Sequence, residues 1–529
     1  MALLTRINSV NTIDLLVQDI STSANTSANN HYYVGLGRYT AFENDNVPDT
    51  ETLDFYSAFY EIQRDLMMGI RVNSGDIKKV IPRKDWSTNK KYTIWDSANT
   101  DLFSSANGAY VITDDNRVYV CLDNNYGANS TVKPSSTSNS SFVTVGDGYK
   151  WKFLYSINSE DANTFNSPDY VVVQDETDIV SSAVNGAIHT VIMTSNGTNY
   201  SAYGTGFVNS VTNSTVFTVS FNNTNQATAG ANSFANSTMY INTGGSAGEL
   251  REILEYDSSS QTITVNNAFS NILSSSTFTI GPKVTITGDG TGAVAYANVD
   301  STTNTVIGIN MLEEGSGYTS AGITITAAPG YVTVNATARA IIGPPSGGHG
   351  LNNDHNLGCE HFKIVKQFEF DDSTLPTYDS LSANITFRTS SLIKNPNKFG
   401  LNAKYTNTSF SQVASFGYDD LGGATPLPAV GTYVQSDTAN GYIVSAIART
   451  STNGVFYVAN TDGTFANNQT LRDSSNNSID FRINNTVEDG SINNPQLDKY
   501  SGEVLYYDNV SPITRSNTQT ETVSIVIKV

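Results

Sequence analysis

Short segments that alternate polar and apolar residues run through most of this chain, and they constrain its fold more than any other feature. Residues 117–121, 150–155, 322–326 and 522–527 alternate in this way, which places apolar side chains on one face of a strand. Turns rich in Gly, Asn and Ser separate these segments, as they do in hairpins. The sequence therefore predicts a mostly-β fold, a β-sandwich scaffold that carries inserted small all-β domains.

One segment departs from this alternation. Between residues 51 and 70, apolar residues recur at spacings of three and four, which predicts an amphipathic helix. Pro48, followed by Asp49 and Thr50, supplies a start signal, and Gly69 supplies an end. We therefore expect the scaffold to include a helix-bearing loop at about residues 51–70.

Charge and composition narrow the function classes. The chain of 529 residues has 49 acidic and 29 basic side chains and a net charge of −20, so it repels phosphate backbones and anionic headgroups. We therefore expect neither a nucleic-acid nor a membrane partner. Cys121 and Cys359 cannot form a disulfide framework for this length. The start lacks the apolar core of a signal peptide, and no run of about 18 apolar residues predicts a transmembrane helix.

Changes in composition along the chain predict five segments. Residues 1–180 form the first part of the scaffold, and an inserted all-β region follows at 181–360. Scaffold strands return at 361–399, after a linker rich in Gly and Pro. A second inserted β-barrel or sandwich occupies 400–496, and 497–529 are the C-terminal strands of the scaffold.

Two glycine-rich motifs resemble pieces of catalytic sites. Residues 244–248 match the Gly-x-Ser-x-Gly nucleophile elbow, but an elbow needs a helix after the serine, and the residues that follow predict a hairpin. Residues 288–292 resemble a phosphate-binding loop, yet an alternating strand follows where a helix N-terminus is required. Glycine-rich turns are the favoured interpretation of both.

Acidic residues offer further candidates for chemistry. Three pairs, at 114–115, 313–314 and 419–420, have the residue types of a glycosidase dyad, and the turn at 123–125 has those of a calcium site. Surface turns explain the pairs better, because the sequence does not place any two carboxylates at the required separation. We expect no enzymatic activity, no catalytic residue and no cofactor.

The best metal candidate is a run of histidine and cysteine near residue 350. His349, His355, Cys359 and His361 offer ligand types that zinc accepts. Their spacing, H-x5-H-x3-C-x-H, matches no standard structural zinc motif. Loop residues that bond to the backbone are therefore the favoured interpretation, and we expect no metal.

A basic cluster in this acidic chain is interleaved with aromatic residues. Arg83 and Lys84 lie close to Trp86 and Trp95, and Trp151 follows in a later strand. Tryptophan and arginine are enriched at buried protein contacts, whereas the net charge disfavours nucleic acid. We therefore predict that these five residues are packing and interface anchors.

Several ordered motifs together resemble the dimeric baseplate wedge protein of T-even-type contractile-tailed phages. Residues 1–180, 362–398 and 497–529, about half of the chain, carry the resemblance. The motifs, in order, are Gly37-Arg38, Met67-Met68-Gly69, Ile81-Pro-Arg-Lys-Asp-Trp86, Tyr119-Val-Cys-Leu-Asp123, Gly146-Asp-Gly-Tyr-Lys-Trp151 with Phe153-Leu-Tyr155, Tyr170-Val-Val-Val173, Phe387-Arg-Thr-Ser-Ser-Leu-Ile-Lys-Asn-Pro396 and Ser501-Gly-Glu503 through Asn509.

The resemblance implies a non-enzymatic virion protein in the outer wedge of the tail baseplate, assembled in the host cytoplasm. It implies a homodimer that contacts other baseplate wedge proteins and the connector toward the short tail fibres. Both insertions exceed the compact T-even-type member. Their Gly-rich strands are similar to material in cyanophage-like tail proteins, which favours a cyanobacterial host.

Two rival functions remain open on the sequence alone. The Asn- and Tyr-rich insertions fit a host-surface or glycan-binding tail adhesin. The paired carboxylates leave a polysaccharide-degrading enzyme as a third alternative. An adhesin would bind cells or glycans as an isolated protein, and an enzyme would lose activity on substitution of one Asp or Glu.

Overall fold

The structure is a computed structural model, and it is mostly β, as the sequence predicts. The chain divides into two compact units, Met1–Val80 with Glu360–Val529 and Ile81–Cys359. The division into five segments stays a prediction. The residues that the structure describes are 6–21, 29–48, 55–99, 102–103, 107–139, 142–222, 226, 228–328, 332–344, 347–371, 380–381, 385–423, 425–516 and 518–529.

Helices are short in the described part of the chain. The first helix, Arg6–Ser21, was not predicted from the sequence. It buries Val10, Ile13 and Ile20 on one face. None of the described helices is long and apolar enough to cross a membrane. The α-helices are α1 (Arg6–Ser21), α2 (Phe55–Asp65), α3 (Ser159–Phe165), α4 (Thr177–Ser182) and α5 (Asn353–Leu357), and 3₁₀ turns occupy Ser74–Asp76 and Asn125–Gly127.

Strands make up most of the remainder. Within residues 1–180 they are β1 (Tyr32–Gly37), β2 (Leu66–Arg71), β3 (Ile77–Pro82), β4 (Tyr110–Ile112), β5 (Arg117–Asp123), β6 (Val143–Thr144), β7 (Lys150–Ser156) and β8 (Tyr170–Val172). Within residues 181–360 they are β9 (Ile188–Ser195), β10 (Gly204–Asn213), β11 (Val216–Phe221), β12 (Thr238–Ile241), β13 (Leu250–Asp257), β14 (Thr262–Val265), β15 (Thr277–Gly281), β16 (Lys283–Gly288), β17 (Thr291–Asp300), β18 (Thr305–Ser316), β19 (Ala321–Thr326) and β20 (Thr337–Ile342). Within residues 361–529 they are β21 (His361–Asp371), β22 (Ser380–Leu381), β23 (Thr389–Lys394), β24 (Ser409–Ser411), β25 (Ala414–Asp420), β26 (Tyr433–Gln435), β27 (Ala439–Ala448), β28 (Asn453–Gly463), β29 (Thr470–Arg472), β30 (Ser478–Ile483), β31 (Glu503–Asn509) and β32 (Thr518–Lys528).

Two sheets of the first unit share one core, which makes a sandwich. One sheet is antiparallel with the order β24-β2-β1-β23-β31, and in the other β21 pairs with β32 and β3. Val34 and Leu36 of β1 pack in the same cluster as Ile364 and Phe368 of β21. Because side chains alternate along a strand, Tyr33 points to the other face of its sheet, where it joins a second cluster.

The first unit also contains a closed barrel of six strands, β25-β28-β27-β26-β29-β30. Its interior is aromatic, with the rings of Tyr418 and Phe456 stacked at 4.1 Å between centroids. Closure of the barrel pairs every strand on both sides, so these strands present no edge to which another chain could add. The barrel lies within residues 400–496.

The second unit contains two open sheets and another closed barrel. The sheets have the orders β4-β5-β7-β6 and β16-β19-β20-β9-β18-β17, and the barrel has the order β10-β11-β14-β13-β12-β15. Phe278 of the barrel and Ile309 of the six-stranded sheet belong to one hydrophobic core. Tyr240 and Tyr296 stack between the same two elements, with ring centroids 4.2 Å apart.

The predicted helix over residues 51–70 is wrong in its last five residues. The helix ends at Asp65, and Leu66–Arg71 form a strand that pairs with β1 and β24; residues 51–54 lie outside the described part. Gly69 is therefore not a helix end. A Cβ atom there would lie 2.4 Å from the ring of Phe410, so glycine lets the strand pass a buried ring.

The sequence also predicts strands at residues 92–95 and 382–393, and both predictions need correction. Residues 92–95 are irregular, because the amide of Thr93 donates to Asn107 while that of Trp95 donates to Cys121, so no ladder forms. The strand predicted at 382–393 begins only at Thr389, and its first three residues lie outside the described part.

Candidate functional site

Trp151 lies at the centre of an aromatic core in the second unit. It is 1% exposed. Its ring stacks on Tyr149 with 5.6 Å between centroids and meets the ring of Tyr92 edge-on at 5.4 Å. Strand β7 places it opposite Cys121 of β5. Trp151 thus acts as a packing anchor, and its buried ring leaves little surface for a partner.

Trp95 contacts the segment that contains α5. Its side chain is 6% exposed, and its indole Nε1 donates to the carbonyl of Asn356 at 2.9 Å. The ring of His349 meets it edge-on at 4.5 Å. Trp95 is therefore also a packing residue of the second unit, and a contact role for it stays a prediction.

The other three predicted anchors are half-buried. Arg83 is paired with Asp85, with 2.9 Å between guanidinium and carboxylate, and Lys84 donates to the carbonyl of Phe103 at 2.8 Å. Burial lowers the pKa of Lys84. Trp86 packs against the aromatic core and remains partly exposed. These residues keep surface for a partner, so the predicted interface depends on them.

A buried polar cluster surrounds His349, for which the sequence favoured a loop residue bonded to the backbone over a metal ligand. Its Nδ1 lies 2.7 Å from Oδ1 of Asn356, and its ring centroid lies 5.0 Å from that of His189. Nδ1 of His189 in turn lies 2.8 Å from the carboxylate of Glu314. Burial lowers the pKa of His349 most, and the neighbouring His189 and Lys152 lower it further.

Lys152 and His189 of this cluster were not predicted from the sequence, and Glu314 was singled out there only as part of the acidic pair at residues 313–314. Lys152, His189 and Glu314 belong to strands β7, β9 and β18, which are far apart in the chain. Lys152 is 2% exposed, and burial lowers the pKa of its amine. A charged residue in an otherwise apolar strand was the one available signal, because no spacing rule connects strands so distant in sequence.

The metal candidate is not assembled as the sequence suggested. His349 and Cys359 are buried in the second unit, whereas His355 is exposed on α5 and His361 belongs to β21 of the first unit. In the described ranges, no three His, Cys, Asp or Glu side chains form a group that could hold an ion.

The glycine-rich motifs occupy turns between strands. Residues 244–248 connect β12 to β13, and Oγ of Ser246 accepts a hydrogen bond from the amide of Asn271 at 2.8 Å. Residues 288–292 connect β16 to β17, which lie at opposite ends of the six-stranded sheet, and the carboxylate of Asp289 accepts a hydrogen bond from the amide of Ser320. Neither motif precedes a helix.

The acidic pairs are engaged in local contacts. Asp114 is paired with Lys133, and Asp419 lies 2.9 Å from Arg482. Glu314 contacts His189, as described above, and Asp123 accepts hydrogen bonds from its own turn and from Thr190. Each of the carboxylates named here therefore has a local partner and a structural role.

Within each unit, motifs that carry the resemblance lie on neighbouring strands. In the first unit, β1 ends in Gly37, β2 contains Met67 to Gly69, β23 lies within residues 387–396, and β31 lies within 501–509. These four strands are neighbours in one sheet, in the order β2-β1-β23-β31. In the second unit, the motifs of β5 and β7 pair with each other around Trp151.

Comparisons with known proteins give no independent assignment. No family model matches the chain, and no curated protein matches it.

Proposed function

We propose that this chain is a structural subunit of a contractile phage tail, a baseplate wedge protein that works through protein interfaces and not through catalysis. The observation that carries the proposal is the meeting of the motifs: segments up to about 470 residues apart in sequence, from Gly37 to Asn509, pair as neighbouring strands of one sheet. Motifs that matched the family by chance would not be expected to lie on strands that pair with one another.

The fold suits a mechanical role. Sandwich and barrel cores are close-packed and change shape little under load, so rearrangement during tail contraction would occur at the contacts between subunits. We infer that the chain forms a homodimer in the baseplate, beside other wedge proteins and the connector toward the short tail fibres. Arg83, Lys84 and Trp86 are the predicted anchors that retain exposed surface.

Isolated tails and the purified chain together test this proposal. Cross-linking of tails, followed by mass spectrometry, should connect the chain to baseplate proteins, and the purified chain should sediment as a dimer. Particles that lack the chain should have incomplete tails. Complete tails without the chain, or hydrolysis of a substrate by the purified chain, would contradict the proposal.

One observation favours the alternative of a glycan-binding tail adhesin. A cleft of about 260 Å³ opens in the second unit. The surface of the cleft is mostly apolar, but its lining residues include amide, carboxylate and amine groups, which are donors and acceptors that sugar hydroxyls use, and the volume approaches that of small ligand sites. Its lining includes Lys91, Asp96, Asn99, Asn107 and Ile192.

A binding assay separates the alternative from the first proposal. The isolated chain is applied to a glycan array and to host cells, together with an Asn107→Ala variant. The wedge proposal expects no binding by either protein. Glycan binding that the variant loses while circular dichroism shows it folded would favour the adhesin, because Asn107 is exposed and lines the cleft.

A further inference from the structure

Three tyrosine side chains of the first unit are strongly exposed and lie close together. Tyr56 is 80%, Tyr60 57% and Tyr500 50% exposed. Large aromatic side chains exposed to this degree are unusual outside binding surfaces, where tyrosine is among the residue types that dominate the binding energy. These three residues are called the tyrosine face below.

Contacts of α2 and of the loop that carries Tyr500 fix the position of the tyrosine face. Tyr56 and Tyr60 are four residues apart on α2, so they share one side of the helix, while Ile62 is buried on another side. The rings of Tyr60 and Tyr500 meet edge-on with 5.7 Å between centroids. Gln63 of α2 donates to the carbonyl of Gly502 at 2.8 Å, which fixes the loop that carries Tyr500.

The surroundings of the tyrosine face have an excess of negative charge. Arg64 is paired with Asp65, and Lys499 is paired with Asp462. Glu61, exposed on α2, and Asp498, which precedes Lys499, add two further carboxylates. Four carboxylates against two cations leave a local charge of about −2, in the same sense as the net charge of −20 of the whole chain.

We propose that the tyrosine face binds a segment of a partner protein that presents arginine or lysine side chains. The faces of tyrosine rings attract a guanidinium or ammonium group through their quadrupole, and the surrounding carboxylates add to that attraction. A second copy of this acidic chain fits less well, because the two faces would bring charge of the same sign together. The identity of the partner rests on the proposed function, whereas the binding chemistry does not.

The test measures binding of a fluorescent hexa-arginine peptide to the full chain by anisotropy, with a hexa-citrulline peptide as the neutral probe. In one variant the three tyrosines become leucine (Tyr56→Leu, Tyr60→Leu and Tyr500→Leu), and in a second they become phenylalanine. Leucine keeps apolar area but has no ring, so we expect about a tenfold loss of affinity. Phenylalanine keeps the ring face, so affinity should stay within about twofold.

Controls decide between this inference and its alternatives. Both variants keep the net charge, so non-specific attraction to the acidic chain is unchanged, and Tyr126→Leu tests an exposed tyrosine outside the face. Circular dichroism verifies that each variant is folded. Equal binding by the leucine variant, or equal binding of the citrulline peptide, would overturn the inference. So would a leucine variant that binds the peptide normally but no longer dimerises, because the occupant would then be a second copy.

Failure of this inference and failure of the proposed function are distinguishable. Tails that assemble without the chain would contradict the wedge role and leave peptide binding unchanged. Conversely, a chain that is cross-linked into baseplates but whose tyrosine face has no preference for the cationic peptide would contradict only the inference.

Discussion

At the scale of one residue, the environment of His349 determines its protonation state more than its residue type does. In sequence it is one of several histidines near a glycine-rich linker, and it invites a metal-site interpretation. In the fold it is buried against Trp95 and His189, bonded to Asn356, and close to the amine of Lys152. Such surroundings favour the neutral imidazole over the charged one.

The lowered pKa of His349 predicts an acid-sensitive second unit. The unfolded chain takes up the proton near the ordinary pKa of 6.5, whereas the folded protein resists it until lower pH. The stabilisation is therefore complete above pH 6.5 and decreases as the pH falls below it, by about 1.4 kcal/mol per pH unit.

Urea unfolding between pH 7.5 and 5 measures this effect. His349→Gln should reduce the pH dependence, and His355→Gln, the same change at an exposed position of α5, should leave it unchanged. His189, Glu314 and Lys152 face the same cluster and stay in both variants. Equal pH dependence in all three proteins would show that His349 is not responsible.

Arg515 and Glu521 give a second prediction at this scale. The Arg515 side chain is 1% exposed, is paired with Glu521, and lies over the rings of Phe370 and Phe387 at 4.0 and 4.8 Å. Removal of the acid leaves an unpaired buried cation, so Glu521→Ala should destabilise the first unit by about 3–5 kcal/mol.

The exposed ion pair between Asp437 and Arg472 provides the control for the Glu521→Ala variant. Asp437→Ala breaks the contact between Asp437 and Arg472, in which the acid is 59% exposed, and should cost less than about 1 kcal/mol. Chemical denaturation compares the two variants. A similar small loss in both would refute the assignment of Arg515 as a buried, tightly paired cation.

At the scale of elements, local patterns identified strands well and one helix poorly. The alternation at residues 117–121 and 150–155 was confirmed as β5 and β7, because period-two burial is a local property of a strand. The apolar residues at 66–70 fitted a helix equally well, and only pairing with β1 and β24 made them a strand. Tertiary contacts override propensity where the local pattern permits both structures.

Gly69 allows this strand assignment to be tested. A methyl group at Gly69 would overlap the ring of Phe410, which is fully buried and cannot move aside. We expect Gly69→Ala to destabilise the first unit by about 1–3 kcal/mol. Gly75→Ala is the matched control, because no heavy atom lies within 4 Å of a Cβ atom there.

A second substitution checks the cause of the Gly69 effect. If overlap with the ring is responsible, Phe410→Leu should recover part of the stability that Gly69→Ala removes, and thermal unfolding of the double variant measures that recovery. Additive losses in the double variant would mean that Gly69 matters for another reason.

At the scale of the whole molecule, the chain leaves the first unit and returns to it at neighbouring points. Val80 and His361 are opposite each other in the antiparallel pairing of β3 with β21. Residues 81–359 therefore begin and end beside one ladder, which is the geometry of an inserted unit whose ends are close together.

This geometry predicts that the two units fold independently. A chain with residues 81–359 replaced by a short Gly-Ser linker should keep a cooperative unfolding transition, and residues 81–359 expressed alone should show another. Calorimetry and limited proteolysis measure both. If either piece lacks a cooperative transition and is digested completely, its core depends on the other unit.

The sequence by itself determined the mostly-β class, the acidic surface and many strands, because composition and period-two alternation are properties of neighbouring residues. It also indicated Trp151 as an anchor. Only the tertiary structure decided that Leu66 to Arg71 form a strand, that His349 lies beside His189 and Lys152, and that Tyr60 meets Tyr500. Each of these depends on residues that are distant in the chain, and contacts at such separations are set by the packing of whole elements.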